Sequence, residues 1–141
     1  MSAHLLRLLF LLIVLSLVNN AFSGELENAI AAGKQEFIHS CSLCHGEDAK
    51  GEGRYSSMLT VAVANLTLLK KNNDNHFPFH ESYKIIDGRD KIRSHELMNM
   101  PSWSERFSSI TKDSAQEKFA ETIARGKIFE LLLYLESIQE E

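Results

Sequence analysis

The chain has 141 residues, with fifteen Lys and Arg against nineteen Asp and Glu, so its formal net charge is −4 at pH 7. Proteins that bind nucleic acids usually carry a basic excess and clustered Lys or Arg, so this balance argues against a nucleic-acid partner. The only two cysteines lie three positions apart, so a disulfide between them could not join distant elements of the fold. They indicate a local site.

The first 23 residues have the layout of a secretory signal peptide. After the start MSAHLLR comes the apolar run 8–18, then the polar, small-residue stretch 19–23. The run has eleven residues, whereas a membrane-spanning helix needs about 20. We therefore expect residues 1–23 to be removed and residues 24–141, 118 in number, to form one exported, periplasmic domain without a membrane span. The other interpretation is an uncleaved N-terminal anchor.

The most informative segment is CSLCHG, which follows a helix predicted for residues 25–40 and matches the C-x-x-C-H haem-attachment pattern. Two thiols one helical turn apart face the same way, so Cys41 and Cys44 can each add to a vinyl group on one edge of a haem. The next residue, His45, then lies under the iron as its proximal ligand. We expect one haem c, bound covalently through the two cysteines.

Two other interpretations of the cysteine pair stay open. A thioredoxin-like redox dithiol would follow a buried strand, but a helix is predicted here. A zinc site would need two more ligands, and His76 with His80 could supply them only across Pro78. Export of the chain favours haem, because c-type haem is attached outside the cytoplasm.

The sixth iron ligand has several candidates downstream, namely His76, His80, His95, Met98 and Met100. A methionine thioether is a soft ligand that favours ferrous iron, as an electron carrier requires. Met100 is the first choice, because Pro101 after it fixes the backbone from which the sulfur would be aimed. Met98, a histidine or an open sixth position remain alternatives.

Five segments together resemble a bacterial monohaem class I cytochrome c over nearly all of residues 24–141: GKQEFIHSCSLCHGEDAKGEG, NLTLLKKNNDNHFPF, IIDGRD, HELMNMPSW and LLLYLESIQ. The resemblance implies an all-α fold, a small helical bundle wrapped around one covalent haem. It also implies that the first and last helices cross, with Gly33 and Phe37 meeting Leu131 and Tyr134. The last helix carries a matching apolar stripe of Ala124, Ile128, Leu131, Leu135 and Ile138.

The resemblance also implies roles for individual residues. The family's M-P-x-W element falls on Met100, Pro101 and Trp103. Trp103 would pack on the haem or donate its N–H nearby, although a core role without haem contact stays open. Arg89 would approach a haem propionate, since a guanidinium pairs well with a carboxylate. The alternative is a solvated arginine after a helix stop at Gly88.

Two positions depart from the family pattern. The stretch VAVANLT lacks the prolines that usually stiffen the loop opposite the proximal histidine. A carbonyl of Val63 or Ala64 could nevertheless orient His45. Ser104 stands where a glycine often follows the tryptophan.

The function implied by these features is single-electron transfer without substrate chemistry, so we expect a carrier and not an enzyme. Its partners would be redox proteins that form small, transient contacts, such as a dehydrogenase, an oxidase or another cytochrome. Free carrier and dedicated subunit of a redox complex are both compatible with the chain. The alternatives are a haem sensor or enzyme that binds a gas or peroxide at an open or labile sixth site, and a non-haem dithiol protein.

Overall fold

The computed structural model describes residues 3–88, 100, 102–109 and 119–140. They form five α-helices: α1 (Ala3–Ser40), α2 (Ser42–His45), α3 (Phe79–Asp87), α4 (Trp103–Ser109) and α5 (Ala120–Ser137). Two 3₁₀ turns, Ser56–Met58 and Leu66–Leu68, lie in the long connection between α2 and α3. No strand occurs among the described residues, so the prediction of an all-α fold is confirmed for this part of the chain.

Helix α1 runs without a break through the expected cleavage point after Ser23. The helix predicted for residues 25–40 is therefore confirmed, and it extends farther upstream. A Cβ placed on Gly24 would have no neighbour within 4 Å, so this side of the helix is open at Gly24. None of the described helices is both long and apolar enough to cross a membrane. Removal of residues 1–23 stays a prediction.

Helices α1 and α5 cross in close contact at Gly33, as predicted. A Cβ built on Gly33 would lie 1.9 Å from the carbonyl oxygen of Glu130, so only glycine lets the two backbones approach this far. One turn further on, the rings of Phe37 and Tyr134 pack with their centroids 5.4 Å apart. This crossing fixes the end of α1, and with it the position of the cysteine pair that follows.

Helix α5 is the central element, because α1, α3 and α4 all pack on it. Four members of its predicted apolar stripe are buried, and the fifth, Ile138, is half-buried just beyond the helix. Leu132 and Tyr134 are also buried, so the buried face of α5 is wider than the predicted apolar stripe. A helix surrounded on several sides buries such a wide face.

Lys127 of α5 joins three helices through its ammonium group. The Nζ atom lies 2.7 Å from Glu36 Oε2 on α1 and 5.0 Å from the centre of the Phe107 ring on α4. Burial disfavours the charged form of Glu36, but the hydrogen bonds from Lys127 and Ser40 outweigh it and lower the pKa of this carboxyl. The pair therefore contributes to the packing of α5 against α1 at neutral pH.

Candidate functional site

The cysteine pair lies on a turn of helix that continues almost directly from α1. The amide of Cys41 donates to Phe37 O at 2.8 Å, and the amides of Cys44 and His45 donate to Cys41 O at 3.2 and 3.0 Å. These bonds keep the two thiols about one turn apart, with His45 at the end of the turn. Gly46, at φ 80°, ends the helix in a conformation that favours glycine.

The chain then folds back beneath this turn. The amide of Gly51 donates to His45 O at 2.7 Å, and that of Gly53 donates to Cys44 O at 3.1 Å. A Cβ on Gly53 would lie 2.5 Å from Leu43 O, and one on Gly51 would lie 2.5 Å from Val63 O. The absence of side chains at these glycines brings residues 61–66 beside the imidazole of His45.

The carbonyl of Ala64 lies beside the imidazole ring of His45. His45 Nδ1 lies 3.4 Å from Ala64 O, at the long end of the hydrogen-bonding range. This confirms the prediction that a carbonyl of Val63 or Ala64 could orient the ring, and it selects Ala64. The neighbouring amide of Leu66 donates to the carbonyl of the fully buried Ala49 at 2.8 Å. A carbonyl that accepts from Nδ1 restricts the orientation of the imidazole ring.

An apolar cavity of about 220 Å³ lies against the motif. A single water needs only ~10–15 Å³ of such space, so the cavity is no ordinary packing defect. Its walls come from α1, α2, α3, α5 and the connecting segments, and the lining residues are Phe37, Cys41, His45, Ala64, Leu66, Leu69, Ser82, Ile85, Ile86, Met100, Leu131 and Leu135. The structure thus brings Cys41, His45 and Met100 to one cavity, although 55 positions separate His45 from Met100 in the chain.

The described residues on either side of Met100 in the chain, Gly88 and Ser102, lie together at the end of α3. Gly88 caps α3 in the left-handed conformation, at φ 87°, and its amide donates to Lys84 O at 3.1 Å. The predicted helix stop at Gly88 is therefore confirmed. Ser102 Oγ then donates to Asp87 O at 2.9 Å, which ties the residues next to Met100 to the end of α3.

The Cys41 thiol is held in its neutral form. Burial, with smaller contributions from Glu36 and Cys44, raises the pKa of Cys41 to about 12. Attacking thiols in disulfide exchange have the opposite property, since their pKa is lowered so that the thiolate is present near neutral pH. Cys41 therefore lacks the usual mark of a catalytic redox cysteine.

The remaining predicted residues differ in where they lie. Trp103 is buried at the start of α4 but does not line the described cavity, and its Nε1 is a buried donor without a hydrogen-bond partner among the described residues. Cys44 is half-buried and is not among the residues that line the cavity. Arg89, Met98, His95 and Pro101 lie outside the described residues, so their predicted roles stay predictions.

The histidines of the zinc interpretation are both exposed, His76 before α3 and His80 within it. In the part of the chain that the structure describes, no group of three or more His, Cys, Asp or Glu side chains is arranged to hold a metal ion.

Ser82 is a polar residue of the cavity lining that the sequence did not predict. It is buried on α3 and lines the otherwise apolar α3 wall of the cavity beside Ile85 and Ile86. A serine inside a short helix normally indicates a solvated position, so only the tertiary packing shows that Ser82 lines the cavity.

Comparisons with protein-family models, with curated proteins and with solved structures found no match to this chain. Its function is therefore inferred from the cysteine–histidine turn, the cavity and Met100.

Proposed function

We propose that this protein is an exported, periplasmic c-type cytochrome that transfers single electrons. One haem would be bound covalently through Cys41 and Cys44, and His45 and Met100 would hold its iron. The observation that carries this proposal is the apolar cavity, which places a thiol, an imidazole and a thioether on one set of walls. Those three groups are the ones that a covalently bound, six-coordinate haem uses.

The residues present fit such a group in composition as well as in ligands. A porphyrin needs an apolar enclosure, and the cavity lining includes aliphatic side chains such as Leu66, Ile86 and Leu131. The buried Trp103 N–H lacks an acceptor among the residues that the structure describes, and a haem carboxylate is one group that could accept from it. When bound, the haem supplies an iron that alternates between the ferrous and ferric states.

Each residue of the site has a separate task in this proposal. The thiols of Cys41 and Cys44 form the thioether bonds that retain the group in a small domain. His45 is oriented through Nδ1 by Ala64 O and presents Nε2 to the iron. Met100 supplies a soft sulfur ligand that favours the ferrous state. The aliphatic walls exclude water from the residues that would hold the iron.

The dithiol alternative has less support. A redox dithiol needs an activated thiolate, whereas the pKa of Cys41 is raised to about 12. The gas-binding alternative needs an open or easily displaced sixth position, whereas Met100 already lines the cavity that His45 lines. Both observations favour a closed, electron-transferring site.

The test is the visible spectrum of the reduced protein with and without carbon monoxide, after expression of the full chain with a c-haem maturation system. An unchanged haem spectrum supports a closed, six-coordinate iron and electron transfer. A clear carbon monoxide shift would mean an accessible sixth site and would favour the gas-binding function. A colourless protein would reject haem binding altogether.

A further inference from the structure

The C-terminal residues after α5 are tied to the loop that faces the proximal histidine. Gln139 Nε2 lies 2.7 Å from Leu66 O and 2.7 Å from Leu135 O, and donates to both carbonyls. The amide of Lys70 donates to Gln139 Oε1 at 2.8 Å. One side-chain amide therefore joins the end of α5 to both sides of the 3₁₀ turn Leu66–Leu68.

A second tie follows at the next residue. The backbone amide of Glu140 donates to Thr67 O at 2.8 Å, and its carboxylate pairs with Lys50 Nζ at 2.9 Å. The Lys50 and Thr67 hydrogen bonds lower the pKa of Glu140. Because this carboxylate is solvent-exposed, its ion pair is screened, and the backbone bond is the stronger restraint. Gln139 is half-buried and its side-chain amide makes three hydrogen bonds, so it contributes more than Glu140 to joining α5 to the loop.

The loop that these bonds restrain has little stiffness of its own. Residues 61–65 read VAVAN, so no proline fixes the backbone there. The loop nevertheless supplies Ala64 O, 3.4 Å from His45 Nδ1. A hydrogen bond of this length is lost with a displacement of a few tenths of an ångström. The position of Ala64 therefore depends on what holds Leu66 after it, namely the bond from its amide to Ala49 O and the bond from Gln139 to its carbonyl.

We propose that Gln139 is a positioning residue for His45, acting through Leu66 to hold the Ala64 carbonyl against the imidazole Nδ1–H. The inference rests on the proposed role of His45 as the iron ligand. A carbonyl acceptor on Nδ1 raises the basicity of the coordinating nitrogen, and a more basic ligand favours ferric over ferrous iron. Loss of the Gln139 hydrogen bonds would weaken the preference for ferric iron, so the reduction potential would rise.

The experiment compares the haem-loaded wild type with Gln139→Met, which keeps the side-chain length and removes its hydrogen-bonding groups. Gln35→Met is the matched control, because Gln35 is an exposed glutamine on α1. Losses of outer partners of metal ligands typically change affinity 10–100-fold. We expect at least a tenfold loss of the ferric preference in Gln139→Met, an upward shift of about 59 mV for a one-electron couple. Gln35→Met should match the wild type.

Amide hydrogen exchange provides a second measurement on the same samples. The Lys70 amide should exchange faster in Gln139→Met, because its acceptor is gone. Faster exchange with an unchanged potential would overturn the positioning role and leave Gln139 a purely structural residue. A wild type that contains no haem would instead overturn the proposed function, and this inference with it.

Discussion

Replacement of Gly33 by alanine should separate α1 from α5. The new Cβ would lie 1.9 Å from Glu130 O, whereas ordinary contact begins at 3.4 Å, so the helices must move apart by about 1.5 Å. A gap of 0.5–1 Å already forfeits a quarter to a half of the dispersion energy of facing atoms. The contact between Phe37 and Tyr134 would loosen as a result. We expect a loss of about 3 kcal/mol, at the upper end of ordinary overpacking costs.

Gly126→Ala is the matched control for this experiment. Gly126 lies inside α5, and a Cβ there would have no neighbour within 4 Å. Alanine should stabilise the protein by about 0.5–1 kcal/mol at this position, because it removes the entropic cost of a helical glycine. Urea unfolding of the haem-loaded proteins, followed by far-UV circular dichroism, measures both changes. A Gly33→Ala variant as stable as the wild type would refute the close crossing of the two helices.

Three further changes test the site and its support. In Met100→Ala the reduced protein should bind carbon monoxide with a clear spectral shift, whereas Met98→Ala should behave like the wild type; the reverse pattern would reassign the ligand. Lys127→Met should cost about 1 kcal/mol in urea unfolding at neutral pH. Because the pKa of Glu36 is lowered from 4.5 in the folded state, this difference should shrink as pH falls through that lowered pKa, and a constant difference would contradict the pairing. Trp103→Phe removes the unpaired donor, and if a haem carboxylate accepts from it, the pH dependence of the reduction potential should move to higher pH. A pH profile identical to that of the wild type would argue against this contact.

Much of the helical framework could be predicted from the sequence, because its signals are local. The periodic apolar stripe around Ile128 marks α5, and Gly88 marks the end of α3. The crossing of α1 and α5 at Gly33 came from the family resemblance, and the geometry of the two backbones confirms it. Helix α4 had no such signal, since WSERFSS is short and polar, and its helical state depends on the packing of Trp103 and Phe107 against α5.

The candidate site likewise has one part that the sequence predicts and another that only the folded structure shows. Cys41, Cys44 and His45 lie within five consecutive residues, so their geometry follows from one helical turn. The approach of Ser82 to the cavity depends on how α3 packs against α5, for which the sequence has no local signal. The bonds from Gln139 to Leu66 join residues 73 positions apart through a side chain and a backbone carbonyl. Contacts of that kind leave no periodic pattern, so only the folded structure shows them.

The most direct test of the central claim is the mass of the denatured protein, purified after export in cells with a c-haem maturation system. We predict a single species that carries one haem after denaturation and begins after Ser23. The Cys41→Ala, Cys44→Ala double variant, prepared in parallel, should carry none. A wild-type mass equal to that of the polypeptide alone, or haem that leaves on denaturation, would contradict covalent attachment through the two cysteines.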